Sequence, residues 1–170
     1  DQKLLKLTKR GHDTNANMDA FRRLRNAGLK ITAHWMPGLT GLGGKVNLER
    51  EIQDFRKLFA NPVYRPDELK IYPTLVIPGT ELYDMWKKGE YDALTFDQTL
   101  ELLIEMKRLV PKYVRIKRVM RDISEHEAEA GARTTNLRQL LHERMKVIGA
   151  KCSCIRCREV GLQKRIPKQT

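Results

Sequence analysis

The chain has 170 residues, 41% of them hydrophobic, enough apolar content to bury a core and to exclude an intrinsically disordered chain. Its 33 Lys and Arg against 21 Asp and Glu leave a formal net charge of +12, a field that attracts polyanions, chiefly nucleic acid or an anionic membrane surface. No stretch approaches the ~20 apolar residues of a membrane span, no signal peptide opens the chain at Asp1, and three clustered cysteines suit a reducing compartment, so an intracellular, cytoplasmic, soluble protein is expected.

In chain order, Asp13 or Asn15 is placed to cap a helix in which Phe21, Leu24 and Leu29 recur at helical spacing, with Gly28 as its stop. LKITAHWMPG then alternates Leu29, Ile31, Ala33 and Trp35 with Lys30, Thr32, His34 and Met36, the two-residue period of a strand, and Pro37-Gly38 closes it. GLTGLGGK, Gly38 to Lys45, lacks the Gly-Lys-Ser/Thr ending of a phosphate-binding loop and reads as a flexible loop beside the strand end. NLEREIQDFRKLF predicts a helix capped by Asn47, with Leu48, Ile52, Phe55 and Phe59 in one stripe. LKIYPTLVI gives a second strand signal, in which Leu69 and Ile71 alternate with Lys70 and Tyr72.

After Pro78-Gly79-Thr80, a short helix carries Leu82, Met85 and Trp86. A longer one from Thr95 sets Leu100, Leu103, Ile104 and Met106 or Lys107 on its inner edge. KYVRIKRV predicts a third strand, Val114 and Ile116 on one face and Arg115 and Lys117 on the other. A polar loop, Asp122 to Arg133, precedes a helix whose Leu137, Leu140, Leu141 and Ile148 face one way until Gly149 stops it. Strands alternating with helices predict an α/β fold with a parallel sheet. Three strands are too few for a closed eight-stranded barrel, so the chain reads as the C-terminal half of a partial (β/α) barrel followed by the beginning of another module.

Two clusters carry chemistry. All three cysteines, Cys152, Cys154 and Cys157, fall inside KCSCIRCREVG, one ligand short of a closed tetrahedral site. Zinc suits sulfur ligands and is the preferred metal; an iron–sulfur cluster with one open iron and free thiols without metal are the alternatives, and His142 is a weaker candidate for the fourth ligand. The second cluster is cationic. Lys107, Arg108, Lys112, Arg115, Lys117, Arg118 and Arg121 follow one another without an acid, and Lys151, Arg156, Arg158, Lys164, Arg165 and Lys168 face only Glu159. Such runs suit RNA phosphates, the alternative being a merely solvated surface. Arg118 and Arg121 sit near the C-terminal end of their strand, where ligands approach open α/β sheets.

The segments RGHDTNANMDAFRRLRNAGLKITAHWMPGLTG, DFRKLFANPVYRPDELKIYPTLVIPGTELYDMWKKGEY, RIKRVMRDI and the CxCxxCREVG knuckle together resemble the catalytic subunit of Elongator in its archaeal-like form, from about Arg10 to about Leu162. The resemblance implies a radical S-adenosylmethionine domain on a partial barrel (residues 1–149) and a zinc-binding linker (150–170) leading to a GNAT-type acetyltransferase domain. The activity it implies is installation of a carboxymethyl-type group on the wobble uridine of tRNA, with S-adenosylmethionine, a 4Fe–4S cluster and acetyl-CoA.

The ligands of that cluster and the acetyl-CoA site would lie outside this chain, as would the fourth zinc ligand, so the segment alone is expected to be inactive. By the same resemblance Lys70 and Tyr72 are the catalytic candidates, and His34, Lys30 and Arg115 the cofactor-binding ones. Lys117, Arg118, Arg121, Arg156, Arg158, Lys164 and Arg165 are the candidates for tRNA contact. Further Elongator subunits are the implied partners, and no membrane. Two other functions fit the residues: a basic zinc module that only binds RNA, and a protein acetyltransferase acting on histone tails, which a basic surface would repel.

Overall fold

A computed structural model describes residues 1–120, 123 and 125–163; Arg121, Lys164 and Arg165, expected to contact tRNA, lie outside the described residues. The chain begins with α1 (Gln2–Leu7) and α2 (Thr14–Asn26), followed by β1 (Thr32–Trp35), α3 (Leu48–Ala60) and β2 (Glu68–Ile71). Next come α4 (Glu81–Lys87), α5 (Phe96–Leu109), β3 (Arg115–Val119), α6 (Leu137–Val147) and two short helices, α7 (Ile155–Arg158) and α8 (Val160–Gln163).

Local chemistry sets most boundaries. The side chains of Asp13, Asn47, Thr80 and Thr95 each accept an amide of the first helical turn, and Thr95 and Gln98 form a reciprocal capping box. Gly28 and Gly149, at φ 72° and 67°, end α2 and α6 in the left-handed conformation that a side chain would disfavour.

The three strands form one parallel sheet in the order β1-β2-β3, as helix–strand alternation predicts. One face carries Leu69, Ile71, Ile116 and Val119 against Phe55 and Leu58 of α3, Leu103 and Met106 of α5, and Leu137 and Leu141 of α6, in one continuous core. Burying each of these large side chains contributes about 2 kcal/mol. A smaller cluster of Leu42, Val76 and Tyr91, backed by Leu82, Met85 and Trp86, lies under the glycine loop.

Several expectations need correction. The strand starts at Thr32, leaving Leu29 57% exposed; α2 buries no residue and is held instead by Arg25, whose guanidinium donates to the carbonyls of Pro62 and Tyr64, and by edge-to-face packing of Phe21 on Tyr64. On α6 the inward position belongs to Met145, and Ile148 is 51% exposed just past the helix end. The glycine loop is pinned rather than loose, with a 3-10 turn over Leu39–Gly41. Lys107, grouped with the surface cations, is fully buried. Alternation in β3 also breaks: Leu69 pairs with Ile116 but Lys70 pairs with Arg118, so Lys117 is the extra residue of a β-bulge. Both Lys117 and Arg118 are therefore exposed between the buried Ile116 and Val119.

Candidate functional site

The non-core side of the sheet is polar. In register across it lie Thr32 and Glu68, then His34, Lys70 and Arg118. At the C-terminal strand ends this polar set opens into a cavity of about 830 Å³, whose lining includes His34, Tyr72 and Arg118 with Met36, Leu75 and Met85. The rings of His34 and Tyr72 meet edge to face, 5.5 Å between centroids. The segment after α1 closes one side: Lys9 pairs with Glu81 at 2.5 Å, and Arg10 Nη2 lies 3.1 Å from Met36 Sδ. A cation, a phenol, an imidazole and apolar walls around one cavity suit a mixed polar and apolar ligand.

Behind this cavity the loop after β1 is tied down from within. The buried Glu51 accepts from the amides of Gly38 (2.9 Å) and Thr40 (3.1 Å), and the Tyr91 hydroxyl donates to the Gly38 carbonyl at 3.2 Å. Burial pushes the Glu51 carboxyl above the ordinary carboxylate range, with the two amides acting in the opposite sense. Two amides that a phosphate cradle would need are thus already taken.

The second site is the thiol knuckle at the other end of β3. The Ile155 amide donates to the Val114 carbonyl at 2.9 Å, which seats Cys154, fully buried, in the main core. The sulfurs of Cys152, Cys154 and Cys157 lie within 4.8 Å of one another. Sulfurs at 2.3 Å from a tetrahedral zinc stand about 3.8 Å apart, so the three fit one ion with little movement.

Hydrogen bonds from the Cys152 and Cys157 thiols hold the Cys154 thiol far below its usual range, and those that Cys152 shares with Cys154 and Cys157 push the Cys152 thiol up. His142 Nε2 lies 3.8 Å from Cys157 Sγ, and burial followed by the charge of Lys107 lowers its pKa. Lys107 Nζ reaches both, at 3.4 Å from Cys157 Sγ and 3.1 Å from His142 Nε2.

The structure therefore brings His34, Tyr72 and Arg118 to one cavity, with Lys70 between His34 and Arg118 in register, and gathers the three cysteines with His142. It places Lys30 and Arg115 elsewhere, at the N-terminal strand ends. Lys30 is 3.9 Å from Asp67, and Arg115 forms an ion pair with Glu159. Lys117 is paired with Glu68 (2.9 Å), which also accepts from the Thr32 hydroxyl, and Arg156 with Glu159 (3.2 Å). Arg158 donates to the carbonyls of Ser153 (2.9 Å) and Lys112 (2.7 Å). Sequence reasoning missed Glu51 and the role of Lys107. For Lys107 a signal existed, since the residue falls three and four positions after Ile104 and Leu103 on the inner stripe of its helix.

Residues 66–147 match the family model described as the Radical_SAM C-terminal domain. Over 158 residues the chain is 42% identical to the tRNA uridine(34) acetyltransferase of Methanocaldococcus jannaschii, covering 93% of this chain and 28% of that protein. To the Elongator complex protein 3 of Homo sapiens it is 44% identical over 156 residues, 92% of this chain and 28% of the relative. The solved structure of Methanocaldococcus infernus Elp3 with an N-terminal deletion superposes with a TM-score of 0.88 at 41% identity, covering 95% of this chain and 37% of that one. The chain thus spans under a third of the length of these curated relatives. Among the described residues no helix is long and apolar enough to cross a membrane. Over more than nine-tenths of its length the chain is thus homologous to part of Elongator complex protein 3 and of the archaeal tRNA uridine(34) acetyltransferases, and its residues 66–147 belong to the Radical_SAM C-terminal domain family.

Proposed function

We propose that this chain supplies the substrate chamber and a zinc-binding linker of a cytoplasmic enzyme that modifies the wobble uridine of tRNA by radical S-adenosylmethionine chemistry and acetyl-CoA. The single observation that carries the reading is His34, Tyr72 and Arg118 around one strand-end cavity, in a chain 42% identical to a tRNA uridine(34) acetyltransferase. S-adenosylmethionine, cleaved at a 4Fe–4S cluster whose ligands the resemblance places outside this chain, supplies a carbon-centred radical when bound. The three cysteines suit a single ion, and among the described residues no second cysteine set is available for that cluster.

Within the chamber His34 contacts the cofactor, and its ring is braced by Tyr72. Tyr72 orients the substrate through its hydroxyl. Lys70, half-buried between two chamber residues, offers a cation to an oxygen of the uridine or of the thioester that becomes negative during reaction. Lys30 and Arg115, the other candidates for cofactor contact, lie at the N-terminal strand ends beside Asp67 and Glu159 and are given no part in the chamber.

Cys152, Cys154 and Cys157 hold zinc, with the fourth ligand from outside this chain as the resemblance implies, and His142, 3.8 Å from Cys157 Sγ, the weaker candidate. Lys117, Arg118, Arg156 and Arg158 form a basic strip along β3 and the knuckle that meets tRNA phosphates. Residues 1–149 and 150–170 form the radical-domain and linker portions, and further Elongator subunits are the partners. In the intact enzyme, Lys70→Ala and Tyr72→Phe should each lower turnover about 100-fold with tRNA affinity retained. Turnover unchanged by both would overturn the assignment in favour of a module that only binds RNA.

A further inference from the structure

Lys107 has no part in the chamber or in the basic strip. Its side chain is fully buried between α5 and the thiol knuckle, and its partners among the described residues are a ring nitrogen and a sulfur, with no carboxylate. Burying a cation without an anion costs several kcal/mol, a penalty that a neutral thiol and a neutral imidazole do not offset. A divalent ion held by three thiolates does offset it, because one negative charge is left over on the ligand set and the ammonium cancels it.

Arg138 of α6, half-buried, donates from Nη2 to the Ile116 carbonyl at 3.2 Å, and its Nη1 is buried without a hydrogen-bond partner. A fully buried cation set against a sulfur, with no carboxylate beside it, indicates a centre built to be anionic. The open side is a cavity of about 570 Å³ lined by Cys152, Cys157, His142 and Lys107, with Lys146 and Lys151 at its margin.

We infer that Lys107 is a positioning residue of the thiol centre, whose buried charge balances a thiolate-ligated divalent ion and thereby sets how tightly that ion is held. The inference rests on the metal reading of Cys152, Cys154 and Cys157. Its donation to Cys157 Sγ is the outer-shell contact that orients a ligand and tunes the metal.

The test is metal competition against a chelator, with Co²⁺ as the spectroscopic probe, in the full chain and in its Lys107→Met and Lys107→Arg variants. The parent chain should bind one Co²⁺ with thiolate-to-metal charge-transfer absorption. Lys107→Met, which keeps the apolar stem, should bind about 10- to 100-fold more weakly, and Lys107→Arg, which keeps the charge, should stay close to the parent. A parent chain that binds neither Co²⁺ nor Zn²⁺ overturns the metal reading itself. Parent binding with Lys107→Met unchanged, or with both variants equally weakened, overturns the role of Lys107 alone. If Lys107→Met does not fold, Lys107→Gln takes its place: weaker Co²⁺ binding than in Lys107→Arg supports the role, and equal binding in the two overturns it.

Discussion

A methyl group placed on Gly41 would stand 2.0 Å from the carbonyl oxygen of Asp92, a backbone atom that cannot swing aside. Gly41→Ala should therefore destabilise the protein by about 2–4 kcal/mol, read as a lowered urea midpoint, since the loop must leave its seat to admit the methyl. Glu51, which anchors the same loop, gives a pH signature. Its folded pKa lies above the unfolded value, so the folded state retains a proton that the unfolded chain has lost. The stability is complete below the unfolded value and falls as pH rises through the folded one. Urea midpoints measured from about pH 4 upward should show this decline, and Glu51→Gln should flatten it. In sequence Glu51 is one more charge on an amphipathic helix; its amide partners at Gly38 and Thr40 come from a loop whose path only the fold decides.

Helix ends were legible at the scale of elements because capping is short-range chemistry: Asp13, Asn47, Thr80 and Thr95 act within three residues of themselves. The bulge at Lys117 was not, since it is a property of β3 against β2 rather than of β3 alone. Strand alternation shows which residues share a face, whereas position along the strand decides which end of the face they occupy. For that reason His34 and Tyr72 met at the cavity while Lys30 and Arg115 fell at the far end.

Glu159 is where the knuckle meets β3, taking both Arg115 and Arg156. Glu159→Gln should cost about 1 kcal/mol or less in stability, since these ion pairs are partly exposed. It should also tighten tRNA binding at low salt and steepen the salt dependence by about one counterion for each cation released. An unaltered slope would show that neither arginine reaches the RNA.

For the whole molecule, the α/β class and the parallel sheet followed from the order of periodic segments, because crossover helices leave few other topologies. Periodicity put Met106 or Lys107 on the inner edge of α5 but gave no reason to bury a cation there, which appears only once Cys157, 50 residues on, arrives beside it. β3 also joins the two sites. The Val114 carbonyl just before it carries the knuckle through Ile155, and Arg118, four residues on, borders the chamber, a span of about 13 Å of pleated backbone. β3 is hydrogen-bonded to β2 on both sides of the bulge at Lys117. The thiol knuckle and the chamber wall thus share one short stretch of backbone.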